Sequence, residues 1–193
     1  MKTSGVLVLV VGPSGAGKDT LLDAAGNALR DDRRFRFVRR VITRPAEAGG
    51  ESHEAVTRAE FAERRFALAW EAHGLCYGIP DDIGADLAAG RVVIANVSRG
   101  VIADAAARFA VRVIEVTAPP ETLSARLASR GREDAAGRTA RLARRMEIAD
   151  GVPAQTVLND ATPEAGTARF IAALNRAAEG ASSSGTAGRT PSA

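Results

Sequence analysis

The stretch GPSGAGKDT, from Gly12 to Thr20, decides the fold. It follows the apolar run Val6–Val11, typical of a central parallel strand, and precedes DTLLDAAGNALR, which has helical spacing. A strand, a glycine-rich loop ending in lysine, and a helix are the context in which the motif G-x-x-x-x-G-K-[ST] binds phosphates, because backbone N–H groups and the helix N-terminus face the anion. The predicted nucleotide-binding residues are Gly12, Pro13, Ser14, Gly15, Ala16, Gly17 and Lys18. Lys18 is also the predicted catalytic cation.

The position after the lysine departs from that motif. It carries the carboxylate of Asp19, and the expected hydroxyl comes one residue later, at Thr20. The candidate strand RVVIANVSRG ends in Asn96 and Ser98, without the acid that often closes such a strand. Because Mg²⁺ prefers oxygen ligands, we hypothesise that Asp19 supplies part of the missing metal-binding charge. The alternative is that Asp19 is only an anion at a helix N-terminus and that Thr20 holds the metal.

Composition narrows the classes of protein to consider. The chain has 193 residues, 46% hydrophobic and 25% charged, which suits one globular domain. Its lysines are Lys2 and Lys18, so arginine carries most of the positive charge. A single cysteine, Cys76, and no run long enough to span a membrane favour a cytoplasmic protein. Basic residues are not interleaved with aromatic ones, so neither a nucleic acid nor a membrane is expected as a partner.

Strands and helices alternate along the chain, which predicts an α/β fold of three layers with a mostly parallel sheet. One domain is expected over residues 1–179, followed by a disordered tail at 180–193. FRFVRRVI, Phe35 to Ile42, alternates like one strand. Within an insert at about 44–79, Thr57 and Glu60 predict a helix that begins with a capping box.

Arginines are concentrated in RLASRGRED and RTARLARR. They are Arg126, Arg130, Arg132, Arg138, Arg141, Arg144 and Arg145. Phosphoryl transfer needs cations on the moving group, and a mobile flap at about 130–140 would supply them. Arg130 and Arg141 are therefore predicted to be catalytic and Arg126 to bind the nucleotide. A solvated basic helix face is the alternative, and it suits Arg132, Arg138 and Arg145 better.

Several motifs in order resemble the guanylate-kinase-like branch of nucleoside monophosphate kinases. They are GPSGAGK, the pair Thr43–Arg44, the stretch His73 to Gly78, RLASRG, and Arg141–Leu142. LND, Leu158 to Asp160, resembles that family's last strand, which lies near the adenine. The resemblance reaches about Ala178 and implies a P-loop NTPase fold, an acceptor-binding insert, an arginine lid, and the use of ATP and Mg²⁺.

The acceptor pocket departs from guanylate kinase. Leu68 stands near the place of the glutamate that reads guanine, and Ile79 follows YG in place of a hydroxyl. VITRPAEAGGESHEAVT, HGLCYG, NVSR and RLASRGRE are together more similar to the ribose 1,5-bisphosphokinase family of phosphonate catabolism. That resemblance implies transfer of the γ-phosphoryl of ATP to the 1-phosphate of ribose 1,5-bisphosphate, which gives 5-phosphoribosyl 1-diphosphate. It implies the acceptor-binding residues Arg44, His53, Tyr77, Asn96, Ser98 and Arg99.

Other interpretations stay open at this level. They are a guanylate kinase with an altered pocket, an inactive kinase-like module that binds a protein, and a sugar kinase acting on a free hydroxyl. His53 is also compatible with a solvated loop residue, Glu51 with either a sugar contact or a solvated acid, and Trp70 and His73 with packing. The oligomeric state is not determined by the sequence, and a homodimer is one candidate.

Overall fold

The computed structural model describes residues 5–46, 51–129 and 151–183. Nine strands alternate with six helices in this part of the chain. In order they are β1 (Val6–Val11), α1 (Lys18–Ala28), β2 (Phe35–Phe37), β3 (Val41–Ile42), β4 (Glu54–Ala55), α2 (Arg58–Ala62), β5 (Phe66–Ala72), β6 (Leu75–Pro80), α3 (Ile83–Ala88), β7 (Val92–Asn96), α4 (Ile102–Arg108), β8 (Val111–Thr117), α5 (Pro120–Ser129), β9 (Ala154–Leu158) and α6 (Pro163–Ser183). A turn of 3-10 helix, Arg99–Val101, precedes α4.

The main sheet has five parallel strands in the order β2-β7-β1-β8-β9. β1 lies at its centre, and all six of its residues are buried. The predicted α/β fold with a parallel sheet is therefore confirmed. The loop after β1 leaves from the carboxyl edge of this sheet, where ligands bind in open α/β folds.

Side chains alternate across β1 and so feed two separate cores. Val8 and Val10 pack with Leu21 of α1 and Phe170 of α6 on one face. On the other face, Leu7 and Leu9 pack in a cluster to which α3, α4 and strands β5 and β6 also contribute. Each large apolar side chain that is fully buried contributes about 2 kcal/mol, so these two cores fix the central strand and the loop that follows it.

The insert is a second sheet of four strands in the order β4-β3-β6-β5. β5 and β6 form an antiparallel hairpin that turns at His73 and Gly74, whose φ values are +53° and +73°. Thr57 and Glu60 form the predicted capping box at the start of α2, with each side chain bonded to the other residue's backbone N–H. This confirms the local prediction within the insert.

The predicted single strand from Phe35 to Ile42 is wrong, because the chain changes sheets within it. β2 pairs with β7 of the main sheet, whereas β3 pairs with β4 and β6 of the insert. The N–H of Val38 still donates to the carbonyl of Ile94, after which the chain crosses over. Alternation shows that a segment is extended but does not say which strand lies beside it.

The last helix reaches Ser183, four residues into the segment expected to be disordered. Small residues such as those after Ala178 lower helix propensity without stopping a helix already formed. The rest of that tail and the expected lid lie outside the described residues, as do Arg130, Arg132, Arg138, Arg141, Arg144 and Arg145. Within the described ranges, no helix is both long and apolar enough to cross a membrane.

Candidate active site

The loop between β1 and α1 is shaped by glycines. Gly12 has φ +149°, and a Cβ there would lie 2.0 Å from the carbonyl oxygen of Val116 in β8. Gly17 has φ +87° and precedes α1 without any side-chain cap. The first N–H groups of this 11-residue helix are therefore left to a ligand, and the helix dipole favours an anion there. The loop therefore has the backbone geometry that the predicted phosphate-binding site requires.

Lys18 is held against this loop. Its Nζ donates to the carbonyl oxygens of Gly12 at 2.8 Å and Pro13 at 3.1 Å. Burial lowers the pKa of Lys18 to about 8; the nearby cations Arg40 and Arg99 act in the same direction, and Asp19 opposes them. The hydrogen bonds of this ammonium to described residues go to carbonyl oxygens. A buried ammonium held in this way gains strongly from a phosphate anion.

A cleft of about 360 Å³ opens beside the loop. Lys18 and Asp19 line it together with the end of β7 at Asn96, and the insert contributes Trp70 and Tyr77. The two rings stack with their centroids 5.4 Å apart and their planes 7° from parallel. The cleft therefore combines phosphate-binding groups from the main sheet with aromatic surface from the insert.

Asp19 and Asn96 contact each other in this cleft. The Nδ2 of Asn96 donates to Oδ1 of Asp19 at 2.9 Å. β7 lacks the usual acid at its end, and the amide of Asn96 there orients the carboxylate of Asp19 instead. One oriented carboxylate with phosphate oxygens and water is the donor set that Mg²⁺ commonly uses, so the residues present fit that ion.

Thr20, the other predicted metal ligand, faces a different pocket. It is exposed and lines a cavity of about 300 Å³ with Arg126 and Asn159. Successive residues of an α-helix point about 100° apart, so Asp19 and Thr20 at the start of α1 serve opposite sides of the loop. We call this second cavity the nucleotide pocket, because Arg126, which the sequence predicts to bind the nucleotide, lines it; Gly15 and Gly17 of the loop line both cavities.

Asn159 ties the loop to the last strand and helix. It is 6% exposed, and its Nδ2 donates to the carbonyl oxygen of Ala16 at 2.8 Å. A Cβ at Gly166 of α6 would lie 2.4 Å from its Oδ1. Arg126 of α5 reaches the same loop, with Nη1 3.4 Å from the carbonyl oxygen of Gly15. Asn159 lies in the motif LND and Arg126 in the motif RLASRG. Only Arg126 was predicted to bind the nucleotide.

Two curated relatives that cover most of this chain carry the same name. A ribose 1,5-bisphosphate phosphokinase from Acidiphilium cryptum (strain JF-5) is 54% identical over 177 residues, which cover 91% of this chain and 96% of that protein. One from Brucella melitensis biotype 2 is 48% identical over 90% of this chain and 94% of that protein.

The chain belongs to the ribose 1,5-bisphosphate phosphokinase family. A bifunctional ribose 1,5-bisphosphokinase-thymidine phosphorylase from Cupriavidus necator is 48% identical over 98% of this chain, which spans 32% of that larger protein. No family model matches the chain.

Solved structures show that this chain has a guanylate-kinase-like fold. The guanylate kinase of Anaplasma phagocytophilum aligns with a TM-score of 0.65 and 17% identity, over 91% of this chain and 87% of that one. A gluconokinase from Sinorhizobium meliloti 1021 aligns with a TM-score of 0.53 and 18% identity, over 96% and 99% of the two chains. At these identities the likeness concerns the fold alone.

Three of the predicted acceptor residues of this phosphokinase line the cleft: Tyr77, Asn96 and Ser98. Arg99 lies close enough to influence Lys18 but is ion-paired with Glu115 of β8, and its buried Nε has no hydrogen-bond partner among the described residues. Glu115 was not predicted. The only signal was that Glu115 is the one acid of the strand VRVIEVT, because a partly buried acid needs a cation as partner.

His53 and Arg44 lie outside the described lining of the cleft. His53 is 4% exposed; its Nε2 lies 3.0 Å from the carbonyl oxygen of Arg44, and its Nδ1 lies 3.0 Å from that of Glu51. The guanidinium of Arg44 contacts the same ring, with Nη2 3.2 Å from Nδ1. His53 is therefore not the solvated loop residue that the sequence left open. Its ring joins the two ends of the segment between β3 and β4.

Trp70 and His73, for which the sequence favours a packing role, both line the cleft. Leu68 is 1% exposed in the core beneath the hairpin, so that position presents no group to a base. Arg40 was not singled out by the sequence, and Glu51 was left open between a sugar contact and a solvated acid. In the structure the two form an ion pair that lines the cleft.

Proposed function

We propose that this protein transfers the γ-phosphoryl group of ATP to the 1-phosphate of ribose 1,5-bisphosphate, giving 5-phosphoribosyl 1-diphosphate and ADP, as a step of phosphonate degradation. The observation that carries the proposal is a phosphate-binding loop that separates a nucleotide pocket from a cleft lined by Lys18, Arg40 and two stacked rings. It occurs in a chain of the ribose 1,5-bisphosphate phosphokinase family.

The chemical step needs no general base. An oxygen of the acceptor 1-phosphate is already anionic; it forms a bond to the γ-phosphorus while the bond from that phosphorus to the β,γ-bridging oxygen breaks. ADP leaves with the electron pair of that bond. In keeping with this, the carboxylates among the described lining residues are those of Asp19 and Glu51, and they are bonded to Asn96 and Arg40 respectively. The protein's contribution is to position and neutralise several anions.

On the nucleotide side, the backbone N–H groups of Gly12–Gly17 and the start of α1 bind the phosphate chain. Lys18 exchanges its two loop carbonyls for β- and γ-phosphate oxygens. We propose that Thr20 and Arg126 contact the nucleotide from the nucleotide pocket, because both line it. Asp19, oriented by Asn96, is the proposed ligand for Mg²⁺, which when bound neutralises charge on the β- and γ-phosphates.

On the acceptor side, Tyr77, Asn96 and Ser98 supply polar groups to the sugar phosphate. Arg44 and His53 are proposed to position the segment between β3 and β4, and Arg99 is proposed to add positive potential near Lys18. Arg130 and Arg141 lie outside the described residues and remain proposed as the cations on the moving phosphoryl group. The substrates are small phosphorylated molecules, and we propose that the enzyme acts in the cytoplasm.

³¹P NMR tests this reaction directly. The protein with ATP, Mg²⁺ and ribose 1,5-bisphosphate is expected to convert the 1-phosphate resonance into the coupled pair of a diphosphate ester while ADP appears. Lys18→Met removes the cation and is expected to slow the conversion about 10³-fold. ADP formation without a diphosphate ester would contradict the proposed acceptor, because it would mean hydrolysis or transfer to another group.

A further inference from the structure

We infer that Arg40 binds the second phosphate of the acceptor, the one that does not react, and that Glu51 holds its guanidinium ready. This inference rests on the proposed function and deepens it, because it names the side chain that distinguishes a bisphosphate from a monophosphate. It starts from a count of fixed charges in the cleft. Among its described lining residues, the lysine and arginine side chains are those of Lys18 and Arg40.

Arg40 owes its place to the change of sheets between β2 and β3. Its carbonyl accepts the N–H of Glu54 at 2.8 Å, which fixes the backbone between the two sheets. From there the side chain reaches the cleft, where it is 12% exposed. Its charge influences Lys18, although the two residues belong to different elements. The site therefore offers two cations from separate parts of the chain, Lys18 at the start of α1 and Arg40 before β3.

The guanidinium is held on two sides. Its Nε donates to Oε2 of Glu51 at 2.8 Å, and Nη2 contacts the other oxygen of that carboxylate. The carbon of the guanidinium lies 5.3 Å from the centroid of the Tyr77 ring and 5.9 Å from that of Trp70. The hydrogen bonds of this side chain to described residues thus use Nε and Nη2. They leave Nη1 to donate to a ligand, and five donors in a plane suit such sharing.

Two cations match two phosphates. Lys18 is committed to the phosphoryl groups that react, so a ribose with phosphates at C1 and C5 needs a second cation for the far phosphate. A nucleoside monophosphate would place an uncharged base there, beside a buried ion pair that it cannot complement. Glu51 neutralises the charge of Arg40 when the cleft is empty. A neutral ligand group therefore gains little binding free energy from Arg40. A phosphate dianion gains a charge-assisted hydrogen bond from Nη1.

Arg40 and Glu51 are expected to change the affinity for the far phosphate in opposite directions. Removing the cation with Arg40→Gln takes away attraction for the far phosphate. Removing the carboxylate charge with Glu51→Gln leaves a hydrogen-bonding amide of the same shape and takes away repulsion. If the pair only stabilised the fold, both substitutions would weaken the site in the same direction.

The experiment compares steady-state kinetics with ribose 1,5-bisphosphate and with ribose 1-phosphate, at saturating ATP. Arg40→Gln is expected to raise KM for the bisphosphate about 10- to 100-fold, the loss expected for one hydrogen bond to a charged group. Its effect on ribose 1-phosphate is expected to stay within about twofold. Glu51→Gln is expected to lower KM for the bisphosphate about two- to fivefold, as for the loss of one partly screened charge.

Arg64→Gln is the matched control. Arg64 forms an ion pair with Glu54 in the same insert, but its side chain is 40% exposed and is absent from the cleft lining. This variant is expected to leave both KM values unchanged. Thermal unfolding of each variant shows whether the fold is intact, and Arg40→Lys, which keeps the charge, is expected to recover part of the loss.

Three results would overturn the inference: an equal loss with both acceptors in Arg40→Gln, a higher KM for the bisphosphate in Glu51→Gln, or no effect of either substitution. Failure of the proposed function is a separate result, seen in the unmodified protein as no turnover of ribose 1,5-bisphosphate. The inference then falls with it. Turnover by the unmodified protein together with any of the three results removes only the role of Arg40.

Discussion

The two sides of the loop are built in different ways. The nucleotide side depends on backbone: glycines with positive φ, an uncapped helix start, and a loop carbonyl held by Asn159. The acceptor side depends on side chains: Trp70 and Tyr77 lie on β5 and β6 of the insert, and Arg40 and Glu51 lie just before its two-residue strands β3 and β4. A nucleotide site built from backbone is compatible with any acceptor, because it binds the phosphates of the nucleotide, which every kinase of this fold uses. Selectivity for the acceptor must therefore come from the insert.

The first way to break this comparison is to add a Cβ to the backbone of the phosphate-binding loop. Gly12→Ala would place a carbon 2.0 Å from the backbone oxygen of Val116, which cannot rotate away, so the loop has to shift. We expect kcat/KM to fall about 10³-fold or more, as when a site is misplaced by an ångström and also loses oriented donors.

Gly26→Ala is the control for that variant. Its Cβ would meet the ring of Phe37 at 3.6 Å, an ordinary contact, inside α1. We expect unchanged kinetics and about 0.5–1 kcal/mol of added stability in urea unfolding, because alanine loses less backbone entropy in a helix. Comparable losses in both variants would mean that the position of the glycine does not matter.

A second prediction concerns pH. Since the pKa of Lys18 is lowered to about 8 by burial, the side chain is charged below that pH and neutral above it in the free enzyme. The charged form binds phosphates, so kcat/KM for ATP is expected to decline as pH rises above about 8. The bound phosphates restore the proton, so kcat is expected to decline only at higher pH.

Lys18→Arg sharpens this prediction because an arginine stays charged throughout. Its activity is expected to be lower but to lack the decline above about pH 8. A decline of the same size in the variant would assign the titration to another group.

A third prediction tests how the loop is fastened on the nucleotide side. Asn159→Ala leaves the buried carbonyl of Ala16 without its donor, which costs about 1–3 kcal/mol of unfolding free energy. Gly166→Ala pushes a Cβ to 2.4 Å from the Asn159 side chain and is also expected to destabilise. In the double variant the added Cβ fills the vacated space, so Gly166→Ala should become neutral or stabilising.

Urea unfolding of the two single variants and the double variant gives this coupling. Additive losses would show that the contact between residue 166 and Asn159 does not constrain the loop.

The smallest effect is expected on the acceptor side, away from the cleft. Thr57→Ala removes the capping box of α2, which costs about 1 kcal/mol of unfolding free energy. No cleft residue lies on α2, so KM for the acceptor is expected to change by less than about twofold. A larger rise in KM would show that the insert moves as one unit, and that its shape, not only its side chains, sets selectivity.

The contrast between local and long-range contacts also explains how much of the structure could be predicted from the sequence. The phosphate loop and the capping box depend on residues close together in the chain, and both were predicted. The change of sheets between Phe37 and Val41 depends on strand partners far along the chain, so the predicted single strand was wrong. Nothing in the alternation of that segment distinguishes the two sheets.

Long-range contacts also limited the prediction of the site. Asp19 was recognised as unusual, and Asn96 was noted at a strand end, but their hydrogen bond joins residues 77 positions apart. The ion pair of Arg40 and Glu51 forms only after β3 and β4 have paired. Charged residues in sequence look the same whether they are solvated or enclosed, and the burial that decides their role is a property of the fold.

The most direct test of the whole account is the ratio of kcat/KM for ribose 1,5-bisphosphate to kcat/KM for GMP, from ADP release with ATP and Mg²⁺. A cleft with an enclosed cation for a far phosphate, and with Leu68 buried where a base-reading carboxylate would stand, predicts a ratio of about 10³ or more. A ratio near one, or a preference for GMP, would contradict the account and show that the insert selects for a nucleoside.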